Sequence, residues 1–456
     1  MAGGTFTMSG KKIRPGTYIN TKSGKNVGTS ENLTGAVVLP LIGAVYGPAQ
    51  EFIEVNASSP DANINKLGLS VYDDTDAMML LIRETLKGCG KVYAFIPTAG
   101  AKASVTLGEV LVCTAKYGGS LGNKLKVSVV ANATLGTGYF NVNVYLDGVL
   151  IETHSGMQKV GDLNGMSDYI DFTAAGSGTA ETALVAAAAT SLTGGANGSL
   201  VNADFITMLD NSEHLDYNAF AFPYSATTYS ALVAAIQSKM KYFHEDVGKD
   251  VFAVMANVAS DYEMCQNVTN GVNLDDGTVI SAEQAVCFFA GVAAGASYVQ
   301  SNTYRQYPGA ASVNGPKTHD EAVNAIKAGQ VFFSYDNSHN VVIEYDINSL
   351  TTFTSEKTED YSKMRIQRTL AALRKVIRAN FPPNKFNNDP NGWTVMEGIG
   401  IGILQDFEAD GAIHDVDPAN DFLVDRSRST GDATYFNVAV QPTDSAEKLY
   451  FTVTTL

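Results

Sequence analysis

Between residues 98 and 198 the chain changes character: Lys and Arg become sparse, Gly, Thr and Val abundant, and short alternating runs dominate. A period of two puts successive side chains on opposite faces, as half-buried strands require. Residues 125–130 read as one strand. Residues 139–145 alternate into a second, and Asp147-Gly148 forms a tight-turn pair leading into 149–153. Such a pair between alternating runs predicts a β-hairpin. Residues 183–192 read as a short helix, and Gly194-Gly195-Ala196-Asn197-Gly198 as a linker-like turn. Strand–helix alternation holds on both sides, so 98–198 is expected to be a β-sandwich inserted into an α/β chain.

The flanks supply the rest of the plan. A chain of 456 residues implies two to four domains. Residues 1–30 read as an extended arm, and 31–97 as a small α/β domain. There the apolar run 35–42 and residues 91–96 read as strands, and 76–87 as a helix with Met79, Ile82 and Leu86 at helical spacing. Residues 199–355 return to strand–helix alternation, a layered central α/β domain. Residues 356–432 are expected to be an α+β C-terminal domain. It opens with a helix over 361–380 whose apolar face holds Ile366, Leu370, Leu373 and Ile377, stopped by Pro382-Pro383. Strands are expected after it, including 399–404. Residues 433–456 form two β-prone runs around Gln441-Pro442-Thr443-Asp444, a C-terminal arm.

Charge narrows the partners. The formal net charge is −16, so the body is expected to repel nucleic acid and anionic lipid. Yet residues 1–30 hold Lys11, Lys12, Arg14, Lys22 and Lys25 without an acid, while 406–447 is dense in Asp. A basic end and an acidic end on one chain invite head-to-tail pairing between copies. The helix at 361–380 reverses the local sign again, with Lys363, Arg365, Arg368, Arg374, Lys375 and Arg378. No aromatic residues interleave as a nucleic-acid groove would require, so a docking face for an acidic protein surface is expected. The four cysteines are widely spaced and form no C-x-x-C pair, which predicts reduced, buried thiols. The first 16 residues are polar and Gly-rich, so no secretory signal is expected. No apolar run reaches about 18 residues, so no membrane insertion is expected either.

Chemistry-bearing motifs are nearly absent. Six His residues are scattered with no metalloprotease spacing, and no G-x-S-x-G elbow exists. Gly118-Gly119-Ser120-Leu121-Gly122-Asn123 lacks the Lys that a phosphate loop needs and reads as a turn. Residues 406–417 copy the opening of a calcium loop, but Glu408 and Asp417 stand where that loop prefers Asp or Asn and a bidentate Glu. These residues argue against an enzyme, and no cofactor is expected.

Five segments in order resemble the contractile tail sheath family of phages and phage-derived particles, in the form found with Gram-positive hosts. They are Met1-Ala2-Gly3-Gly4 with Arg14-Pro15-Gly16-Thr17-Tyr18-Ile19-Asn20; Tyr117-Gly118-Gly119-Ser120-Leu121-Gly122-Asn123 with Leu125-Lys126-Val127-Ser128-Val129; Ala290-Gly291-Val292-Ala293-Ala294-Gly295 with Ser301-Asn302-Thr303 and Tyr307-Pro308-Gly309-Ala310; Asp346-Ile347-Asn348-Ser349-Leu350-Thr351-Thr352-Phe353; and Gln441-Pro442-Thr443-Asp444-Ser445-Ala446-Glu447-Lys448-Leu449-Tyr450. The resemblance implies a subtilisin-like central domain without protease activity. It implies a virion tail or tail-like particle, assembled in the host cytoplasm as stacked hexameric rings around a tail tube. Partners would be further copies of the chain, the tube protein, and baseplate and terminator proteins. The terminal arms would pair with neighbouring copies by β-augmentation. Thr17, Tyr18, Ile19 and Asn20 would serve at one end. Phe436, Val438, Val440, Leu449, Phe451 and Val453 would serve at the other. The basic helix, with its six cations, would face the tube. A different self-assembling shell or surface-layer protein is the alternative reading.

Overall fold

The computed structural model describes residues 2–4, 16–18 and 33–455. Its centre is a seven-stranded sheet. In spatial order the strands are Gln330–Val331, Cys265–Val268, Phe252–Ala256, Ala219–Phe222, Ala36–Pro40, Lys91–Phe95 and Phe52–Asn56. All neighbours pair in parallel except the edge strand Phe52–Asn56, which runs antiparallel to Lys91–Phe95. Parallel strands covered on both faces must be apolar throughout. Ala36-Val37-Val38-Leu39-Pro40 and Ala219-Phe220-Ala221-Phe222 are indeed buried at every position.

The alternation of side chains divides the core into two layers. Val37, Leu39, Ala219, Ala221, Val254 and Ala256 face the helices Ala77–Leu86 and Ala282–Gly295. Ala36, Val38, Phe220, Phe222, Ala253 and Met255 face Asn202–Asn211 and Ser230–Tyr242. Local signals start these helices where they are needed. The Asp76 carboxylate accepts from Met78 N at 2.8 Å and Met79 N at 3.1 Å. Ser281 and Gln284 close a reciprocal capping box on the central helix.

This sheet corrects the expected division of the flanks. Residues 31–97 do not build a separate small domain: their strands join those of 199–355 in one layer. Period and propensity mark each strand but not its neighbour, so the join is invisible in one dimension.

The inserted sandwich packs a four-stranded sheet (Val149–Met157, Phe140–Leu146, Leu125–Ala131, Ala187–Ser191) on a three-stranded one (Ile170–Ala174, Leu111–Ala115, Ser104–Leu107). Leu111, Cys113, Val127, Val129, Val142, Val144 and Ile170 lie in its core. Asp147 and Gly148 both have positive φ, 48° and 84°, as the tight hairpin turn requires. The expected helix at 183–192 is instead the strand Ala187–Ser191, hydrogen-bonded antiparallel to Leu125–Ala131. Its alanines favour helix, but a free ladder edge offers the backbone more than propensity does. Where the sandwich meets the main body, Gly119 has φ 137°, and a Cβ there would sit 2.0 Å from Val45 O. Only glycine permits that approach.

The C-terminal domain packs the helix Met364–Asn380 against the 20-residue helix Pro390–Ala409. Leu373, Ile403, Leu404, Phe407, Ala412, Ile413 and Phe422 form its core. The expected strand at 399–404 lies inside the second helix. Ile399-Gly400-Ile401-Gly402-Ile403 imitates a period of two, but Asp389 caps the helix by accepting from Gly392 N at 2.7 Å, and Pro390 fills the first turn. Gly400 is small because the Phe422 ring lies 2.2 Å from where its Cβ would be. The 406–417 stretch accordingly begins as helix, not as a loop. Two short ladders complete the domain: Ile413–His414 with Gln441–Pro442, and Phe422–Val424 with Phe436–Val438.

Candidate assembly surfaces

The basic helix is positioned by carboxylates of the central domain. Arg368 is 5% exposed and donates through Nη2 to Asp346 Oδ2 at 2.6 Å and to Gln300 O at 2.7 Å. Asp250, half-buried with its side chain 8% exposed, just before the strand Phe252–Ala256, is a hub. Arg374 Nε and Nη2 reach it at 3.1 and 3.0 Å, Arg378 Nη2 at 3.4 Å, and His244 Nδ1 at 2.7 Å. Burial alone would push the Asp250 carboxyl up, but the bonds from His244 and Arg374 outweigh it and hold it below the usual carboxylate range. Arg365 donates to Ser445 Oγ at 2.9 Å, and Lys363 is paired with Asp444 and Glu447. Lys375 keeps only a 3.6 Å pair with Asp216, both side chains largely exposed.

The six cations therefore do not form one open basic face. The acidic surface they meet is mostly this chain's own, because a cation on an acidic body lowers its energy by folding onto a nearby carboxylate. Sequence spacing identified the charges but not their partners, which lie 22 to 128 residues away for Asp346 and Asp250.

The arm residues separate into three groups. Thr17 and Tyr18 belong to the strand Gly16–Tyr18, paired in parallel with Ala2–Gly4; Ile19 and Asn20 lie outside the described residues. Phe436 and Val438 sit in the ladder with Phe422–Val424, and Val440 packs against the C-terminal core. Leu449, Phe451 and Val453 are 66%, 84% and 87% exposed, with Tyr450 at 90% between them. Residues 443–455 carry no helix or strand.

One cluster escaped the sequence reading. Glu447 accepts from Ser301 Oγ at 2.8 Å and Thr303 Oγ1 at 2.7 Å, and its other oxygen takes the Lys363 ammonium. Burial opposes the Glu447 charge, but the Lys363, Thr303 and Ser301 bonds prevail and lower its carboxyl. A groove of about 560 Å³ opens beside it, lined in part by Tyr304, Ile326, Leu350 and Phe353. The only sequence signal was that Ser301-Asn302-Thr303 and the 441–450 segment each stood out separately.

Burial pushes the Cys89, Cys113 and Cys265 thiols up to about 12, far from the thiolate a nucleophile needs. Among the described residues no group of three or more His, Cys, Asp or Glu is placed to hold a metal, and no helix is long and apolar enough to cross a membrane.

Three family models match in sequence order. They are the phage tail sheath protein beta-sandwich domain over 98–197, the phage tail sheath protein central domain over 198–349, and the phage tail sheath C-terminal domain over 356–455. The phage-like element PBSX protein XkdK of Bacillus subtilis (strain 168) is 32% identical over 475 residues, 99% of both chains. The crystal structure of the sheath tail protein from Desulfitobacterium hafniense is 31% identical, with a TM-score of 0.81 over 96% of this chain and 99% of that one. The helical sheath of the anti-feeding prophage in its contracted state shares the fold, with a TM-score of 0.52 at 12% identity over 97% and 99% of the two chains.

Proposed function

The chain belongs to the phage tail sheath family and is a structural protein, not an enzyme, and from this we propose that it polymerises as stacked hexameric rings around a tail tube and contracts to drive the tube through a target envelope. The observation that carries this reading is the exposed C-terminal arm. Leu449, Phe451 and Val453 alternate with Tyr450 and Thr452, the pattern of a strand with one apolar face. Among the described residues the arm joins no ladder, and the two short C-terminal ladders each have two strands. Two-stranded sheets are marginal alone. Strands donated by neighbouring copies would complete them through backbone hydrogen bonds, and a contact of this kind that does not close on itself propagates as a filament.

The tube-facing role narrows to the most exposed of the six cations, Lys375 and Arg378. Contraction would proceed by rigid-body movement of subunits that stay tied through their arms, from an extended state held by a kinetic barrier. No nucleotide is required.

The test is electron microscopy of purified protein, full-length and with residues 448–456 deleted. Striated hollow tubes from the full chain, lost on deletion, are expected. Discrete particles that ignore the deletion would overturn the arm-linked reading and favour a different shell or surface-layer assembly.

A further inference from the structure

The C-terminal arm passes from fixed to free within two residues. Thr443 N donates to Ala412 O at 2.9 Å, Ser445 Oγ takes the 2.9 Å bond from Arg365, and the Glu447 side chain is 10% exposed. Leu449 is already 66% exposed and Tyr450 90%. The last fixed point is therefore one carboxylate. Three donors from two other parts of the chain converge on it: two hydroxyls from the loop after the central helix and one ammonium from the basic helix.

The site is built for charge. Lys363 lies 4.2 Å from the centroid of the Tyr345 ring and 3.3 Å from Asp444 Oδ2, with its side chain 16% exposed. Lys448 lies 5.8 Å from the centroid of the same ring. Thr303 Oγ1, which donates to Glu447, accepts from Asp346 N at 3.0 Å. Asp346 in turn holds Arg368. The arm's root is thus wired into the seam that fastens the C-terminal domain to the central one. Charge-assisted bonds of this kind are short and directional, so they fix an angle as well as a position.

We propose that Glu447 is a latch that sets where and in which direction the C-terminal arm leaves the subunit, and thereby its reach toward a neighbouring copy. The proposal rests on the sheath reading and deepens it by naming the positioning residue of the link. With the latch closed, residues 448–456 alone give an extended reach of about 30 Å beyond Glu447. With it open, the last fixed point is Ser445, held by Arg365, and the free segment begins after it. The chain end then searches a larger volume with no preferred direction, and the effective concentration of the arm at a neighbour falls. No part of the Glu447 cluster contributes to the central sheet, so the latch can open without unfolding the subunit.

The test is carried out on the full chain in two readouts. Amine acetylation followed by mass spectrometry compares Lys363 with the exposed Lys375 as an internal control. Lys363 is expected to react slowly in the parent protein and about tenfold faster in Glu447→Gln, the effect of losing one charge-assisted contact, with the melting temperature unchanged. Ser301→Ala, which spares the ion pair, is expected to give a smaller rise. In the exchange Lys363→Glu with Glu447→Lys, the lysine at 447 is expected to react slowly again, a rescue that a merely bulky packing role would not produce. In parallel, the concentration for half-maximal tube assembly is expected to rise about tenfold in Glu447→Gln and to recover in the exchanged pair. Equal Lys363 reactivity in parent and Glu447→Gln overturns the latch. So does normal assembly of Glu447→Gln when deletion of 448–456 abolishes tubes. If deletion of 448–456 leaves tubes intact, the arm-linked reading fails instead.

Discussion

The central sheet and the C-terminal domain are held by different physics. Phe220 and Val254 of the sheet and Phe288 of the helix packed on it are fully buried, and all but the edge strand of the sheet is bonded by parallel ladders, with helices on both faces. Burial is non-directional and tolerates small shifts. The C-terminal domain has a smaller core, and its helix Met364–Asn380 is pinned to the centre by Asp346–Arg368 and by the Asp250 hub. Such pairs are specific in geometry and costly to break, because the freed charge stays buried. One region is a body; the other is attached at named points. The contraction proposed above needs both.

Three experiments can break or sharpen this contrast. The largest effect is expected in the body. Phe220→Ala should cost about 4 kcal/mol of global stability, read as a shifted denaturant midpoint for the whole α/β unit; a loss confined to the C-terminal domain would break the comparison. Next comes the seam. Arg368→Met leaves Asp346 buried beside Thr303 and Asn302 and should cost about 3 kcal/mol, with hydrogen exchange rising first in 364–380 and only later in 252–256. Simultaneous loss in both segments would mean that the seam is no weaker than the body.

The smallest effect is expected from pH. The Asp250 carboxyl is lowered in the folded protein, so its contribution is complete above the ordinary aspartate value of about 3.9 and is lost as pH falls through the lower folded value. The groups facing it are His244, Arg374 and Arg378. Below about pH 4, protection in 364–380 should fall before protection in the central sheet, and Asp250→Asn should remove that acid-dependent lag. A lag that persists in Asp250→Asn would assign it to other carboxylates.

Legibility followed the same division. Elements with a strong period were readable: the Asp147-Gly148 hairpin, the strands within 35–42 and 91–96, the helix within 76–87 and the basic helix up to Pro382. Two elements were misread where a local pattern was ambiguous. The alanines of 183–192 favour helix by less than about 1 kcal/mol per residue, and one ladder reverses that preference. The alternating glycines and isoleucines of 399–403 imitate a strand until Phe422 packs against Gly400. Of the assembly surfaces, the exposed alternation at Leu449, Phe451 and Val453 was visible as a pattern, while Glu447 was not, since a lone carboxylate near a chain end has no signature.

By itself the sequence determined what depends on neighbours along the chain: period, caps, turns, the sign of charge in each segment, and the lack of catalytic motifs. Only the tertiary structure decided partnership. It joined residues 36–95 to 219–331 in one sheet, assigned Arg374 and Arg378 to Asp250, and brought Ser301, Thr303 and Lys363 onto Glu447. The reason is physical. Hydrogen bonds and ion pairs depend on distance in space, and many alternative pairings of the same charges are equally permitted by the order of residues.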